Sequence, residues 1–421
     1  MHVKNRIYIL LVFIFLCASK ESFTIFGINL FRPYDINLRP PIWCGENFQW
    51  TDWVEIGYKA RGYNPEGNEV NVMQLWTPTQ DALAMLKGFN SSSPITQFLI
   101  NDLGNPPDNG VRGNFRVTGD FKAKGFGIGA RYHLPHNLTV GLHLPFYQMR
   151  LKNVNFVDLT YNNNAADMIV REELTSQLKE RIREFDPNLN IMGWEKIGPG
   201  DLFFLAEWYR NFPQGKPILK NVSLNARVGF SFPTGIKKDE DDILTVPFGF
   251  DGSAGLLFAG GINLNWFNVF RGGIDIEFLT LFGNTRDRRI KVQQDQTEFL
   301  LLAKVPTYKD FGFTQRFNLY LEAYRVFHGL SARATYQFWK HSEDTLSVCT
   351  NEFSNEIANT AESLQEWTIH HVIFQLSYDF QCDISEKSAI KPQLSLFYKL
   401  PFNGERALLL NTYGATFTLN F

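Results

Sequence analysis

The sequence predicts an all-β protein whose strands form an antiparallel up-and-down barrel of about 12 strands, or about 14 if an N-terminal hairpin joins. Three observations support this fold. Apolar and polar residues alternate along many short runs, turns separate these runs, and the connections between them alternate between short and long. Because successive side chains of a strand point to opposite faces, each run indicates a sheet with one apolar face. Many such runs in one chain indicate a closed or stacked antiparallel sheet.

The last run, 407–421, shows the alternation most plainly. Tyr413, Phe417, Leu419 and Phe421 fall on one side of an extended strand, and mostly small polar residues fall on the other. A lipid-facing apolar band with an interfacial aromatic is expected of a strand in a transmembrane barrel. The strand resembles the C-terminal signature of bacterial outer-membrane proteins. The resemblance implies an insertion signal that the barrel-assembly machinery recognises, and outer-membrane lipid as the surroundings.

The clearest internal runs are 218–233 and 390–402. The full set of candidate strands shares the same two-residue alternation and comprises 112–121, 125–134, 138–152, 200–210, 218–233, 253–268, 271–284, 312–325, 329–341, 367–381, 390–402 and 408–421.

Loop lengths give an independent indication, because membrane barrels alternate short periplasmic turns with longer external loops. Counted back from Phe421, the predicted periplasmic connections are short: 382–389, 326–328, around 269–270, 211–217 and 135–137. The predicted external connections are mostly long and carry helical insertions: 403–407, 342–366, 285–311, 234–252, 153–199 and 122–124. A soluble β-sandwich, the alternative fold, has no reason to sort its loops this way. The pattern therefore favours the membrane barrel.

The amino-terminal region is predicted to differ from the barrel. Lys4 and Arg6 precede a short apolar run that ends before small residues, which is typical of a cleavable signal peptide. The chain is thus divided into a signal peptide (1–19), a pre-barrel segment (20–110) in the lumen or the periplasm, and the barrel (111–421). A short helix is expected at 81–89, and a hairpin within 48–76 would add two strands if it joined the wall.

Composition excludes several functions. The formal charge of −2 and the pI near 6.5 give no support for nucleic-acid binding. A mean hydropathy of −0.19 is compatible with a barrel, since only alternate residues meet lipid, and the 15% aromatic content suits a wide lipid-facing surface. No hydrolase elbow, phosphate loop or zinc-protease motif occurs, so neither an enzyme nor a cofactor is expected. The few histidines, among them His133, His143 and His370-His371, lack ligand spacing, so no metal is expected.

If apolar residues face lipid, the lumen receives ionisable side chains of nearly balanced sign. Such residues must meet water or one another. Two interpretations stay open: a hydrated narrow pore, or a paired network that closes the lumen. The predicted pore-lining residues are Arg116, Asp120, Arg131, His133, Glu207, Arg227, Asp275, Glu277, Glu322, Arg333, Asp379, Lys391 and Lys399.

Three loop features have alternative interpretations. Residues 165–185 predict an amphipathic helix that either caps the mouth or lies exposed on the surface. The acidic run 239–242 could bind a divalent cation, but a solvated loop tip fits its spacing better. The basic cluster Arg286, Arg288, Arg289 and Lys291 could contact anionic lipopolysaccharide or solutes, or could balance the acidic loop. A Cys44–Cys382 disulfide is a further hypothesis, since three cysteines follow the signal peptide.

The stretch Ala226 to Gly235, A-R-V-G-F-S-F-P-T-G, with the Gly-rich strand that follows it, resembles outer-membrane proteins of the phenol-degradation meta-pathway. That resemblance implies admission of aromatic or other hydrophobic compounds. The first functional hypothesis is a porin-like channel for passive diffusion of small solutes. The alternatives are a hydrophobic-compound transporter with a plugged lumen and a surface structural or adhesive protein.

Overall fold

A computed structural model describes Asp35 and residues 47–87, 94–103, 111–327, 329–380 and 390–421. The predicted signal peptide and both cysteines of the predicted disulfide lie outside these residues. Within the described ranges, no helix is long and apolar enough to cross a membrane.

The wall of the molecule is an antiparallel sheet of 12 strands, accompanied by a few short strands. The wall strands are numbered in chain order: β1 Phe48–Tyr63, β2 Asn114–Leu134, β3 Leu138–Asp158, β4 Leu202–Pro213, β5 Leu219–Phe232, β6 Gly255–Trp266, β7 Phe270–Leu281, β8 Thr314–Phe327, β9 Leu330–His341, β10 Trp367–Asp379, β11 Lys391–Glu405 and β12 Ala407–Asn420.

The sheet closes on itself between its first and last strands. β1 pairs with β12, placing Thr51 opposite Thr418, and on its other edge β1 pairs with β2, placing Thr51 opposite Gly129. The side-chain oxygens of Thr51 and Thr418 lie 3.3 Å apart on the inner face. Closure leaves no unpaired wall edge, as a barrel in lipid requires. The predicted all-β barrel of about 12 strands is therefore confirmed.

The amino-terminal boundary of the predicted barrel is wrong. The predicted strands 112–121 and 125–134 form one continuous strand, β2, and residues 48–63 are wall rather than pre-barrel segment. These two errors cancel in the strand count. A connection was predicted at 122–124, but the strand continues through these residues, with the side chains of Lys122 and Lys124 exposed on the outer face.

Apolar side chains form the outer face of the wall. Val54, Phe126, Leu142 and Ile262 are among those that project outward and are exposed. The rings of Phe48 and Phe421 meet at 5.8 Å, at one end of this band. The polar partners in each alternation point inward, so the face pattern is that of a barrel surrounded by lipid.

The two ends of the barrel differ in their connections. One end carries short turns: 135–137, 214–218, 267–269 and the connection at Gly329, while 380–390 lies mostly outside the described residues. The other end carries 64–113, 159–201, 233–254, 282–313 and 342–366, with Arg406 alone between the last two strands. By the usual asymmetry of such barrels, the short turns are periplasmic and the long connections extracellular. The predicted external connection at 122–124 does not exist, and 64–113 takes its place.

The long connections build a crown above the barrel. A three-stranded sheet of Asn284–Arg289, Lys304–Asp310 and Thr345–Val348 stands over the mouth, with the short helix α5, Asn355–Ala358, beside it. A further strand, Trp194–Pro199, extends the pairing of β3. The predicted helix in 165–185 is present as α3, Ala165–Val170, a π turn, Arg171–Thr175, and α4, Leu178–Phe185.

The connection between β1 and β2 folds into the barrel. We call residues 69–103 the plug segment; its described parts are 69–87 and 94–103. They include the pair of residues Gln80–Asp81 bridged to β2, and the helices α1, Ala82–Lys87, and α2, Pro94–Asn101. The short helix predicted at 81–89 corresponds to α1. The Asp81 carboxylate accepts the backbone N–H groups of Leu83 and Ala84 and so caps α1.

Candidate functional site

The lumen is lined by charged side chains that are paired across strands. The guanidinium of Arg227 on β5 binds both carboxylate oxygens of Asp275 on β7, each at 2.8 Å. This bidentate geometry is the strongest form of an arginine–carboxylate contact. Asn318 on β8 also donates to Asp275, at 3.3 Å. The mid-lumen of the barrel thus holds a satisfied ion pair that crosses three strands.

A second cluster continues the network around Arg316 on β8. Its guanidinium contacts Glu277 on β7, and Nη1 lies 2.9 Å from Oδ2 of Asp35. Gln337 on β9 donates to the same Asp35 carboxylate at 3.2 Å. Arg316, Glu277 and Asp35 are all buried. A residue from before the first strand therefore occupies the lumen and is bound there by the wall.

Beside the closure seam, Lys399 on β11 reaches over β12 to Glu55 on β1, with Nζ–Oε1 at 2.9 Å. Thr412 on the intervening strand donates its hydroxyl to the same carboxylate. Nearer the periplasmic end, Arg131 on β2 donates to Gln49 at 2.6 Å and lies 3.3 Å from Glu207. These contacts link strands on both sides of the seam through inward side chains.

The structure places eleven of the thirteen predicted pore-lining residues on the inner face. Six of them form three pairs: Arg131 with Glu207, Arg227 with Asp275, and Arg333 with Glu322 at 3.3 Å. The other five are Lys391, at the periplasmic end of β11, and four residues in contact with a polar partner: Glu277 with Arg227 and Arg316, Lys399 with Glu55, Asp379 with Arg325, and His133 with Thr139. The sequence left open whether the inward charges line a hydrated pore or form a paired network. Their contacts in the structure are those of a paired network.

The prediction is wrong for Arg116 and Asp120. Both side chains are exposed on the outer face of β2, whereas the alternate residues Phe115, Val117 and Phe121 are buried inward. The rule that apolar residues face lipid inverts here, because this part of β2 rises above the membrane and its apolar residues pack on the plug segment.

Sequence reasoning missed several lumen residues. Arg316, Asn318 and Gln337 lie on the same strand faces as the predicted Glu322 and Arg333, so strict alternation along β8 and β9 would have identified them. Glu55 was missed because its strand was placed outside the wall. Asp35 carried no signal, since it lies in an irregular, turn-rich stretch.

Above the polar network, the plug segment fills the lumen with apolar side chains. Val72, Leu75 and Leu86 of the plug belong to one buried cluster with inward wall residues from opposite sides of the barrel, including Leu151 on β3 and Trp339 on β9. A cluster that joins facing walls closes the passage between them. In this conformation apolar side chains of the described plug residues fill the extracellular half of the lumen.

The plug segment is attached to the wall by a few specific contacts. The side chain of Asn71 accepts the backbone N–H of Gly119 at 3.0 Å and donates to its carbonyl at 3.1 Å, imitating a strand neighbour. Gly119 lies where the β2–β3 register shifts, and Met73 packs closely over it. At the crown, Lys87 contacts Asp295 and the Asp81 N–H donates to Thr297.

The predicted amphipathic helix covers this cluster. Val170, Leu174, Leu178 and Ile182 of α3, the π turn and α4 are all buried in it. Arg112 ties α3 to the barrel through Asp167, with Nε–Oδ1 at 2.8 Å. Of the two interpretations of residues 165–185, the capping helix is therefore the one the packing shows.

The acidic and basic loops neutralise one another. Arg286 contacts Glu240, Arg289 binds Asp241 and Asp186 at 2.6 Å each, and Lys196 binds Asp239. Burial alone would raise the pKa of Glu240, but the cations of Lys238 and Arg286 outweigh it and hold this pKa below its usual value. Among the described residues no group of acids, histidines and cysteines could hold a metal ion. These ion pairs connect the loops of the crown to one another.

Two small cavities lie beneath the crown. One of about 140 Å³ is lined by apolar side chains such as Trp76, Leu244 and Phe299 and by charged ones such as Arg289 and Glu298. A second of about 90 Å³ shares Trp76 and is bounded by Phe311 and Trp367.

No known protein family matches the sequence, and no curated protein matches it. The fold is similar to that of several solved structures, each at low sequence identity. One is the COG4313 outer membrane channel from Pseudomonas putida F1, at 12% identity and a TM-score of 0.49 over 93% of this chain and 100% of that one. The second is the NanC porin, at 9% identity and a TM-score of 0.28 over 73% and 98%. The third is a Pseudomonas aeruginosa FadL homologue, at 9% identity and a TM-score of 0.26 over 89% and 90%.

The geometry of this chain decides its location. A closed barrel with an apolar outer band and a charged interior satisfies every requirement for crossing a lipid bilayer by strands. The chain is an outer-membrane β-barrel protein. In this outer-membrane barrel His143 is buried on the inner face, and Cys349 in the crown is an exposed free thiol.

Proposed function

We propose that this outer-membrane barrel is a gated channel for small, partly apolar solutes, and that the plug segment is its gate. The observation that carries the proposal is the placement of the plug. Its apolar side chains fill the extracellular half of the lumen, yet it is bound to the wall mainly through side chains and two two-residue bridges, Glu69–Val70 with β1 and Gln80–Asp81 with β2. A gate requires such an element, which can leave without unpairing the wall strands.

The chemistry of the passage supports the choice of solute. A molecule entering from outside meets the small cavities under the crown, which are lined by both apolar and charged side chains. It then crosses the apolar cluster and reaches the polar network of the lower lumen. A small aromatic or aliphatic acid has an apolar body that suits the apolar cluster and a charged group that suits the polar network.

The test is solute uptake by proteoliposomes containing the full chain, with benzoate and arabinose as probes. Replacing two buried plug residues, Leu83→Ser and Leu86→Ser, loosens the apolar cluster while leaving every wall strand intact. We expect benzoate uptake by the wild-type protein and a severalfold increase for both probes in the variant. The matched control, Val305→Ser with Val348→Ser in the crown sheet, changes apolar contacts away from the plug and leaves uptake unchanged.

Two results would contradict the proposal. Absence of uptake in both the wild type and the loosened variant would favour a structural or adhesive protein. Equal, rapid uptake of arabinose and benzoate by both proteins would favour an always-open diffusion pore.

A further inference from the structure

We propose that the outer face of β2 and β3, immediately above the lipid-facing band, binds the phosphate groups of a lipopolysaccharide in the outer leaflet. The site is formed by Lys122 and Lys124 of β2 and by Arg150 and Lys152 of β3, which we call the basic patch. It is independent of the gate, because it lies on the opposite side of the wall.

Strand register brings these four cations together. Lys122 lies directly opposite Arg150, and Lys152 lies one outward position further along β3. Lys124 pairs with Gln148 on the same face. Their alternate neighbours Ala123, Met149 and Leu151 are buried inward. The patch is therefore a continuous outward surface of two adjacent strands.

The height of the patch matches the membrane boundary. A tilted strand needs about 9–11 residues to cross the hydrocarbon layer. Counted from Leu134 at the periplasmic turn, this crossing ends at about Lys124. The next outward residues toward the periplasm are Phe126 and its cross-strand partner Phe146, whose rings lie 6.3 Å apart and are exposed to lipid. The cations thus stand where the phosphates of the outer leaflet lie.

The patch carries unbalanced charge. Like charges directly opposite each other destabilise a sheet, so the Lys122–Arg150 pair requires a counter-charge. Glu195 lies 2.6 Å from Lys152 and 3.8 Å from Arg150, and Asp120, directly opposite Lys152 on the same face, accepts a hydrogen bond from Asn153, so two acids stand against four cations. Neither Lys122 nor Lys124 forms an ion pair with any described residue. An external anion completes the surface.

The surroundings identify this anion as the headgroup of a lipid. Ile197, beside Gln148, is 70% exposed, and Ile56 lies opposite Lys124. These apolar side chains continue from the basic patch into the lipid-facing band. A lipopolysaccharide offers both matching parts, since its phosphates meet lysine and arginine and its acyl chains lie along the apolar wall.

The experiment uses native mass spectrometry to measure how tightly the purified, delipidated full chain binds lipid A that carries two phosphates. The test variant is Lys122→Gln, Lys124→Gln and Arg150→Gln. We expect its apparent dissociation constant to rise at least about tenfold, since each cation near a charged membrane surface contributes measurably. A matched control, Lys216→Gln with Lys220→Gln at the periplasmic end, keeps wild-type binding.

Dephosphorylated lipid A separates the phosphate contact from apolar adhesion. It should bind weakly, and equally to the wild type and the test variant. Folding of each variant is established by the heat-modifiable gel mobility of the closed barrel. Equal retention of two-phosphate lipid A by the wild type and the folded test variant would overturn the proposal, as would an equal loss in the control.

Discussion

Arg316 of the wall and Asp35 from before the first strand form an ion pair inside the barrel, with Nη1 2.9 Å from Oδ2. Arg316 is also bound by Glu277, and Gln337 donates to Asp35 from the next strand. The pair therefore holds a residue of the amino-terminal region across the polar half of the lumen, beneath the plug segment. The closed state consequently has two layers, one apolar and one ionic.

The ionic layer predicts the effect of removing Asp35. In Asp35→Ala, Arg316 keeps Glu277 as its partner, so the wall remains stable while the lumen loses an obstructing side chain. A hydrogen bond to a charged group contributes about 1.5–3 kcal/mol, so solute flux should rise by roughly tenfold. Proteoliposome uptake measures this change. Asp102→Ala, at an exposed position of the plug segment, is the matched control, and an Asp35→Ala flux equal to that of the wild type would disprove the ionic layer.

The contact across the closure seam predicts strong coupling between Glu55 and Lys399. Lys399→Met leaves the Glu55 carboxylate buried, with Thr412 as its one side-chain donor among the described residues, which should lower the free energy of unfolding by about 3–5 kcal/mol. Adding Glu55→Gln removes the stranded charge, so the double variant should recover part of this loss. Urea unfolding in lipid vesicles measures the cycle. Additive losses would show that the two side chains do not interact.

The crown predicts a defined acid sensitivity at Asp344, in the connection after β9. Burial alone would raise the pKa of Asp344, but Lys309 and His341 outweigh it and hold this pKa well below its usual range. Because this pKa is lower in the folded than in the unfolded protein, the charged carboxylate stabilises the fold fully at pH values above the unfolded-state pKa of about 3.9. The stabilisation is lost as the pH falls through the folded-state pKa. The Tm difference between wild type and Asp344→Asn should therefore stay constant from about pH 8 to pH 5 and narrow below about pH 4.

Asp310→Asn, an exposed acid of the crown, serves as the control for this titration. A wild-type advantage that vanished between neutral pH and about pH 6 would contradict the assignment to the Asp344 carboxylate.

How much of this structure was predictable depended on where each strand meets lipid. Along β5 and β12 the alternation of apolar and polar residues gave both the strand and the inward face, because lipid and lumen differ sharply there. Arg227 was placed correctly for that reason. In the upper part of β2, water lies outside and the apolar plug inside, so the same rule assigned Arg116 and Asp120 to the wrong face.

The contacts that hold the plug segment and Asp35 in the lumen could not be predicted from sequence pattern. The pairing of Asn71 with the backbone of Gly119 depends on a local register shift between β2 and β3. Asp35 is one acid in a stretch without periodicity, and only the three-dimensional arrangement brings it to Arg316. Local alternation carries no information about contacts between residues so far apart in the chain.

The central claim is that the plug segment must move for solute to pass, and a reversible crosslink tests it most directly. A Cβ on Gly119 would lie 3.1 Å from Cγ of Met73, so Met73→Cys with Gly119→Cys places two thiols within disulfide range. The native cysteines are first replaced by serine. Benzoate uptake by proteoliposomes is then measured for the oxidised and the reduced protein, with Met73→Cys alone as the control. The account predicts that oxidation stops uptake and reduction restores it; undiminished uptake by the fully crosslinked protein would contradict it.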